Sequence, residues 1–398
     1  MNDIEIYIHI PFCARKCAYC DFVSFPAGRD AQDEYVNALI NEISAKSVLA
    51  KNRTVRSVFI GGGTPSLLDE AHIRNIMNVL REGYDIRKNA EITIESNPCT
   101  IMREKLDSYL GSGINRISIG CQSTDNKNLK ILGRLHDFET FMKSYEETLC
   151  AGFKNINVDM MYALPDQSVS EWESELKIIS SLNISHISAY SLILEEGTPL
   201  YKISDTLSFP DDDEAAQMYE STDKILSSSG FGRYEISNYA RSGLECIHNV
   251  GYWERVPYLG FGIAAASLLD REEDIVSARK KSSYGIRSVN TSDMEKYLKV
   301  FGGKDVLNQS DIMCEAAENV STMTKADAMS EFMFLGMRMT KGVSRTVFQD
   351  EFGCDMFEVF GTQLNRNIKI GALECVGDRI FIPKKYLFVS NQILSDFV

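Results

Sequence analysis

Cys13, Cys17 and Cys20 stand in a C-x-x-x-C-x-x-C spacing just after the run Ile8-His9-Ile10-Pro11-Phe12. Thiolates crowded into one short loop are metal ligands by type and spacing. The other cysteines, Cys99, Cys121, Cys150, Cys246, Cys314, Cys354 and Cys375, share no spacing, and a chain of 398 residues with ten scattered cysteines is no disulfide-stapled miniature domain. The number of ligands separates the metals. Structural zinc normally takes four protein ligands, whereas three thiolates on a four-iron cubane leave one iron open to a small molecule. Zinc with a distant fourth ligand, or three core cysteines that happen to be neighbours, are the competing readings.

The elements that must position this loop follow a regular alternation. Glu5 to Ile10 reads as a strand and Asp33 to Leu49 as an amphipathic helix; Val55 to Ile60 is the next strand and ends on Gly61-Gly62-Gly63. Helix 70–81, strand 91–95, helix 102–110, strand 116–120, helix 138–151, strand 155–161, helix 171–182 and strand 186–193 continue the pattern. Strands apolar enough to be buried on both faces, each followed by a helix, predict a parallel sheet with helices outside. Polar and glycine-rich residues collect just after one strand after another, which favours a barrel or partial barrel with its site at the C-terminal strand ends. The fold class expected is therefore α/β, a partial (βα)6 barrel. Beyond a further helix, 211–229, comes an aromatic segment from Tyr234 to Leu269. From Thr322 the pattern changes to helices over 331–339, 345–352 and 356–368 and a strand at Ile380-Phe381-Ile382, a winged-helix-like unit. The domains expected are 1–235, 236–321 and 322–398.

Charge and hydropathy exclude other classes. The 42 lysines and arginines against 56 acids give a net charge of −14, the wrong sign for a nucleic-acid backbone binder. From Thr322 onward nine basic residues balance nine acidic ones, so the winged-helix-like unit lacks the basic face of a DNA reader. No apolar run approaches the roughly 18 residues of a membrane span, and the acidic start is unlike a secretory signal. A cytoplasmic location is expected.

The cysteine loop, read as Ile8-His9-Ile10-Pro11-Phe12-Cys13 with Tyr19, Asp21 and Phe22, resembles the opening of radical S-adenosylmethionine (SAM) proteins of the HemW and oxygen-independent coproporphyrinogen III oxidase group. The likeness continues in order through Gly61-Gly62-Gly63-Thr64-Pro65-Ser66, Glu95-Ser96-Asn97-Pro98, Asn115 to Ser123, Leu132 to His136, Asp159 to Pro165, His186 to Tyr190 and Glu331 to Gly336. It implies a [4Fe-4S] cluster on Cys13, Cys17 and Cys20, with SAM chelating the open iron and cleaved by one electron to a deoxyadenosyl radical. By the same resemblance Tyr7, Tyr19, Gly62, Gly63, Thr64, Glu95, Gln122, Arg134 and Asp159 contact SAM.

Within the group, the cysteine loop directly follows the first strand, without the longer N-terminal extension of the oxidases, and runs on as Cys20-Asp21-Phe22, the form typical of HemW. His248-Asn249-Val250-Gly251-Tyr252-Trp253 matches the HNxxYW motif. A histidine among aromatics is equally a packed core residue, but the resemblance makes His248 an axial ligand of heme, flanked by flat apolar rings. One departure is that Gly262-Ile263-Ala264-Ala265-Ala266-Ser267 stands where the family reads G-x-G-A-H-S, so Ala264 and Ala266 replace a glycine and a histidine. Two functions follow. In the first, the protein is a chaperone that binds heme and delivers it to an apo-hemoprotein, in contact with a membrane surface. In the second, it is an oxidase that decarboxylates coproporphyrinogen III or modifies another tetrapyrrole.

Overall fold

Along β1 (Asp3–Ile10), Ile4, Ile6, Ile8 and Ile10 alternate with Glu5, Tyr7 and His9. The same two-residue period recurs in β2 (Thr54–Gly62), β3 (Asp85–Ser96), β4 (Arg116–Gln122), β5 (Asn155–Tyr162) and β6 (His186–Ser191). The computed structural model describes residues 3–269, 284–303 and 316–398. It shows these six strands parallel, side by side in chain order. A helix follows each: Arg29–Ala45, Glu70–Gly83, Arg103–Gly111, Phe138–Ala151, Val169–Ser180 and Asp212–Ser228. The aliphatic row of each strand faces those helices and is fully buried, as at Ile6, Ile60, Ile94, Ile117, Ile156 and Ile187. Each such side chain contributes roughly 1.5–3 kcal/mol by leaving water.

The other row points into the barrel and is polar. Glu5, Ser57, Glu91, Arg116, Asn157 and His186 are all buried, and buried polar groups require partners. Arg56 Nε donates to Glu5 at 2.8 Å, Glu91 accepts the backbone N–H groups of Ile247 and His248 at 3.0 and 3.2 Å, and His186 bridges Asn157 at 2.5 Å and the Tyr234 hydroxyl at 2.8 Å.

Among the described residues the sheet does not close on itself. The far edge of β6 pairs antiparallel with β8 (Asn238–Ala240), which pairs with β7 (Gly232–Arg233). On the other side β1 pairs in parallel with β9 (Tyr258–Phe261), and the sheet continues antiparallel through β10 (Ala266–Leu269), β11 (Ile286–Asn290) and β12 (Ala317–Thr322). The architecture is thus a partial (βα)6 barrel. The C-terminal unit packs helices Lys325–Gly336, Arg345–Phe352 and Met356–Lys369 with a three-stranded sheet of β13 (Val343–Ser344), β14 (Glu374–Val376) and β15 (Arg379–Phe381), as a winged helix does. One buried apolar cluster runs from Ile4 on β1 to Phe397 in this unit. The cut at 235 falls between the paired β7 and β8, and the cut at 321 falls inside β12.

Several boundaries differ from the sequence reading. The helix expected over 331–339 spans Lys325–Gly336, because Thr324 and Asp327 form a capping box that starts it a turn and a half earlier. The first helix begins at Arg29 rather than Asp33, and its expected end, 46–50, is a 3-10 turn. The aromatic segment 234–269 resolves into β8, the short helix Ile247–Trp253, β9 and β10. Cys314 lies outside the described residues. Among the described residues no helix is long and apolar enough to cross a membrane.

Candidate cluster and cofactor site

The loop from Pro11 to Gly28 leaves β1 and folds back on itself: Phe25 N–H donates to Pro11 O at 2.9 Å and Cys13 N–H to Phe25 O at 3.1 Å. The glycine-rich end of β2 clasps the start of this loop, with Gly63 N–H on Ile10 O and Thr64 N–H on Phe12 O, both at 2.8 Å. A Cβ at Gly63 would lie 2.8 Å from Phe12 O and 3.0 Å from Cys13 Sγ, so only glycine lets the strand end pass this close to the first cysteine. Thr64 Oγ1 stands 3.5 Å from the same sulfur. The other side of the loop is pinned by Ala18, whose N–H donates to Leu132 O at 3.0 Å and whose carbonyl accepts from Leu200 N–H at 2.8 Å. Arg134 reaches Cys17 Sγ at 3.5 Å and Gly120 O at 2.9 Å, which places a cation beside the second thiol.

Cys13, Cys17, Cys20, Tyr19, Gly62, Gly63, Thr64, Glu95, Gln122, Arg134 and Asp159 all line one cavity of about 410 Å³ at the C-terminal ends of the strands. Glu95 accepts the Gly62 N–H at 3.0 Å, and its carboxyl is pushed up to about 8 by burial and then by the neighbouring Asp159 charge. Asp159 itself accepts from Ser118 Oγ at 2.7 Å and Asn157 Nδ2 at 2.8 Å. Gln122 adopts a left-handed backbone with φ of +70°, at a register break between β4 and β5, and this turns it at the cavity rim.

Tyr7 and His248 lie elsewhere. They line a smaller chamber of about 220 Å³ beneath the cavity, which shares Glu95, Ser118, Asp159 and Tyr190 with it. Tyr7 hydrogen-bonds His9 Nδ1 at 3.0 Å. His248 is 2% exposed, stacks on Phe59 with ring centroids 5.2 Å apart, and meets Tyr252 edge-on at the same distance. Its Nδ1 is 2.9 Å from Ser57 Oγ, while Nε2 is buried without a partner among the described residues. Burial first, and then the Arg56 and Arg116 charges, lower its pKa to about 3, so the imidazole is neutral.

Ser118, Met161 and Tyr190 also line the upper cavity, and Arg116, Asn157 and Ser188 the lower chamber; all but Asn157 fall within the family-like segments, yet none was assigned a role in the site. The signal was present as a period of two: a polar residue at every second position of a strand otherwise made of isoleucine and valine. Ala264, in place of the family's glycine, has φ of +56°. Ala266 opens β10, opposite Val289 of β11.

The donor set fits a polynuclear cluster. The three thiols share one cavity wall, while among the described residues no three His, Cys, Asp or Glu side chains gather as ligands of one ion. Thiolates on a cubane each hold a separate iron, so they need a common volume rather than a common point. Gly63 leaves room against Cys13 for such a group, and above it the cavity offers acceptors at Glu95 and Asp159 and an amide at Gln122.

Comparison with known proteins gives the family. Residues 7–179 match the model of the radical SAM superfamily, and residues 323–385 that of the HemN C-terminal domain. The chain is 31% identical over 394 residues to the heme chaperone HemW of Lactococcus lactis subsp. lactis, covering 98% of this chain and 96% of that one. It is 30% identical over 398 residues to heme chaperone HemW of Bacillus subtilis, covering 98% of each. In fold it is similar to the structure of coproporphyrinogen III oxidase (HemN) from Escherichia coli, with a TM-score of 0.81 and 22% identity over 100% of this chain and 90% of that one.

Proposed function

The chain belongs to the HemW family of radical SAM proteins, and from that membership we propose that it is a heme chaperone, one that binds a [4Fe-4S] cluster, SAM and heme and passes the heme to an apo-hemoprotein. The observation that carries the cofactor part is the convergence of the cysteine triplet and eight further residues on one cavity at the strand ends. Cys13, Cys17 and Cys20 hold the cluster in this reading. When bound, cluster and SAM together supply one-electron cleavage of a sulfonium.

The chain's own residues bind and orient. Gly62 and Gly63 bring backbone to the cavity floor where a side chain would collide with His9, Ile10, Phe12 or Cys13. Glu95, whose carboxyl burial pushes up to about 8, becomes an acceptor for an ammonium group that enters beside it, since an adjacent cation lowers a carboxyl pKa. Asp159 is pre-aimed by Ser118 and Asn157, as a polar recognition group must be. Arg134 offsets thiolate charge at Cys17.

Coverage of nearly the whole chain by the HemW relatives favours heme handling over coproporphyrinogen decarboxylation, because the likeness to the oxidase structure is one of fold. A cytoplasmic site of action belongs to the same reading. The test is an anaerobic side-by-side assay of the reconstituted protein with hemin and with coproporphyrinogen III. The expected result is bound heme that transfers to an apo-hemoprotein and no protoporphyrinogen IX. Formation of protoporphyrinogen IX would replace this reading with the oxidase.

A further inference from the structure

β1 lies between β2 and β9, so the start of the cysteine loop has a strand end on each side. The β2 side holds it through Gly63 and Thr64. On the other side β9 ends at Phe261 and turns into β10 through Gly262, Ile263, Ala264 and Ala265. Gly262 has φ of +94°, and a Cβ there would lie 2.6 Å from His9 O, so the backbone of this turn runs directly against the end of β1. Tyr35, from helix Arg29–Ala45, joins the two. Its side chain is fully buried, and its hydroxyl donates to His9 O at 2.7 Å while accepting the Ile263 N–H at 3.2 Å. Its ring meets that of Phe12, the residue before Cys13, edge-on with centroids 5.2 Å apart.

The turn is itself fixed from behind. Glu42, on the same helix as Tyr35, accepts the Gly262 N–H at 2.7 Å, the Tyr297 hydroxyl at 2.6 Å and the Lys46 ammonium at 2.5 Å. Asn290 donates to Gly262 O at 2.8 Å and to Glu42 at 2.7 Å. These side chains are buried, and a buried polar network whose members are paired specifies one arrangement of the groups it holds. None of Tyr35, Glu42, Asn290 and Tyr297 lines the cofactor cavity, so they bear on it through backbone alone. The hydroxyl of Tyr35 is the point where this network reaches the strand end from which the cysteine loop departs.

We propose that Tyr35 is a positioning residue for the cluster: it sets the end of β1 against the 262–265 turn and so fixes the point from which the three cysteines are presented. The proposal rests on the reading of Cys13, Cys17 and Cys20 as cluster ligands. Its test compares Tyr35→Phe with Tyr84→Phe in the full-length protein after anaerobic reconstitution. Tyr84 is the control because it is likewise buried and its hydroxyl donates to Ile43 O at 2.8 Å, on the same helix but away from the loop. Each variant keeps its ring and loses a buried hydroxyl bond, so similar drops in the urea midpoint are expected. Two readouts lie outside a packing role: the rate at which bathophenanthroline disulfonate withdraws iron, and the shape of the reduced cluster's electron paramagnetic resonance signal. Iron loss about tenfold faster and an altered signal are expected in Tyr35→Phe, with Tyr84→Phe within about twofold of wild type and its signal unaltered. A wild-type rate and signal in folded Tyr35→Phe, or equal acceleration in both variants, would overturn the proposal. If Tyr35→Phe does not fold, Asn290→Ala, which frees Gly262 O without touching Tyr35, takes its place with the same two outcomes. A wild-type protein that assembles no cluster would remove the cluster reading itself, an outcome distinct from a misassigned anchor.

Discussion

Ser57 and His248, 191 positions apart in the chain, share a hydrogen bond of 2.9 Å inside the barrel floor. The bond ties the Ile247–Trp253 helix to β2, and Glu91 on β3 reinforces it by accepting the first backbone N–H groups of that helix. The HNxxYW segment is thereby built into the barrel rather than hung beside it. Replacing His248 with alanine should leave Ser57 without its partner and a hole between Phe59 and Tyr252. A loss of about 2–4 kcal/mol is expected, from the cavity and the broken buried bond together. Urea unfolding of the cofactor-free protein measures it, and a change under about 1 kcal/mol would contradict this packing role.

Gly63→Ala should cripple cluster assembly. The added methyl would meet Phe12 O at 2.8 Å and Cys13 Sγ at 3.0 Å, and the obstructing oxygen is backbone, which cannot swing aside. Iron and acid-labile sulfide after anaerobic reconstitution should fall to less than half of the wild-type content. Full loading would show that the strand end and cysteine loop separate more easily than their hydrogen bonds suggest.

Glu95 gives a pH signature. Its folded-state pKa is raised from 4.5 to about 8, so between those values the unfolded chain has lost a proton that the folded protein keeps. Stability attributable to this group is present below pH 4.5 and is lost as pH rises to about 8. Glu95→Gln should therefore raise the Tm of the cofactor-free protein at pH 8, by an amount worth a few kcal/mol, and flatten its decline between pH 5 and 8. An unchanged slope would mean that the carboxyl is ionised in the folded state.

Ala264→Gly should stabilise. An L-residue at φ of +56° costs about 1–2 kcal/mol, and glycine's extra unfolded-state entropy returns about 0.5–1 of that. The net gain expected is roughly 0.5–1 kcal/mol, read as a higher midpoint in urea. No gain would place the cost of this backbone conformation below the usual range.

The sequence disclosed the barrel because its strands and helices alternate with strong periodicity, and it marked the cysteine loop because Cys13, Cys17 and Cys20 lie within eight residues. What it hid was set by distance along the chain. The parallel pairing of β9 with β1 joins residues about 250 apart, and no local pattern encodes it. His248 was read as a heme ligand from the family resemblance, since a histidine among aromatics describes composition and not direction; the fold turns the imidazole into the lower chamber and Trp253 toward a second cavity. The polar row of Ser57, Arg116, Ser118, Asn157 and Ser188 was visible in principle. No role was read from it, although Arg116, Ser118 and Ser188 fall inside the family-like segments, because the strands' isoleucines dominated the hydropathy and suggested burial on both faces, which is true of these five as well.

The central claim is that three cysteines hold a cubane whose open iron faces the cavity of Glu95, Gln122 and Asp159. Its most direct test is the electron paramagnetic resonance spectrum of the reconstituted, reduced protein before and after saturating SAM. The expected result is a cluster signal whose shape changes when SAM is added, with no such signal once two of Cys13, Cys17 and Cys20 are replaced by alanine. A cluster signal that SAM leaves unaltered, or one that survives the double replacement, would contradict the account.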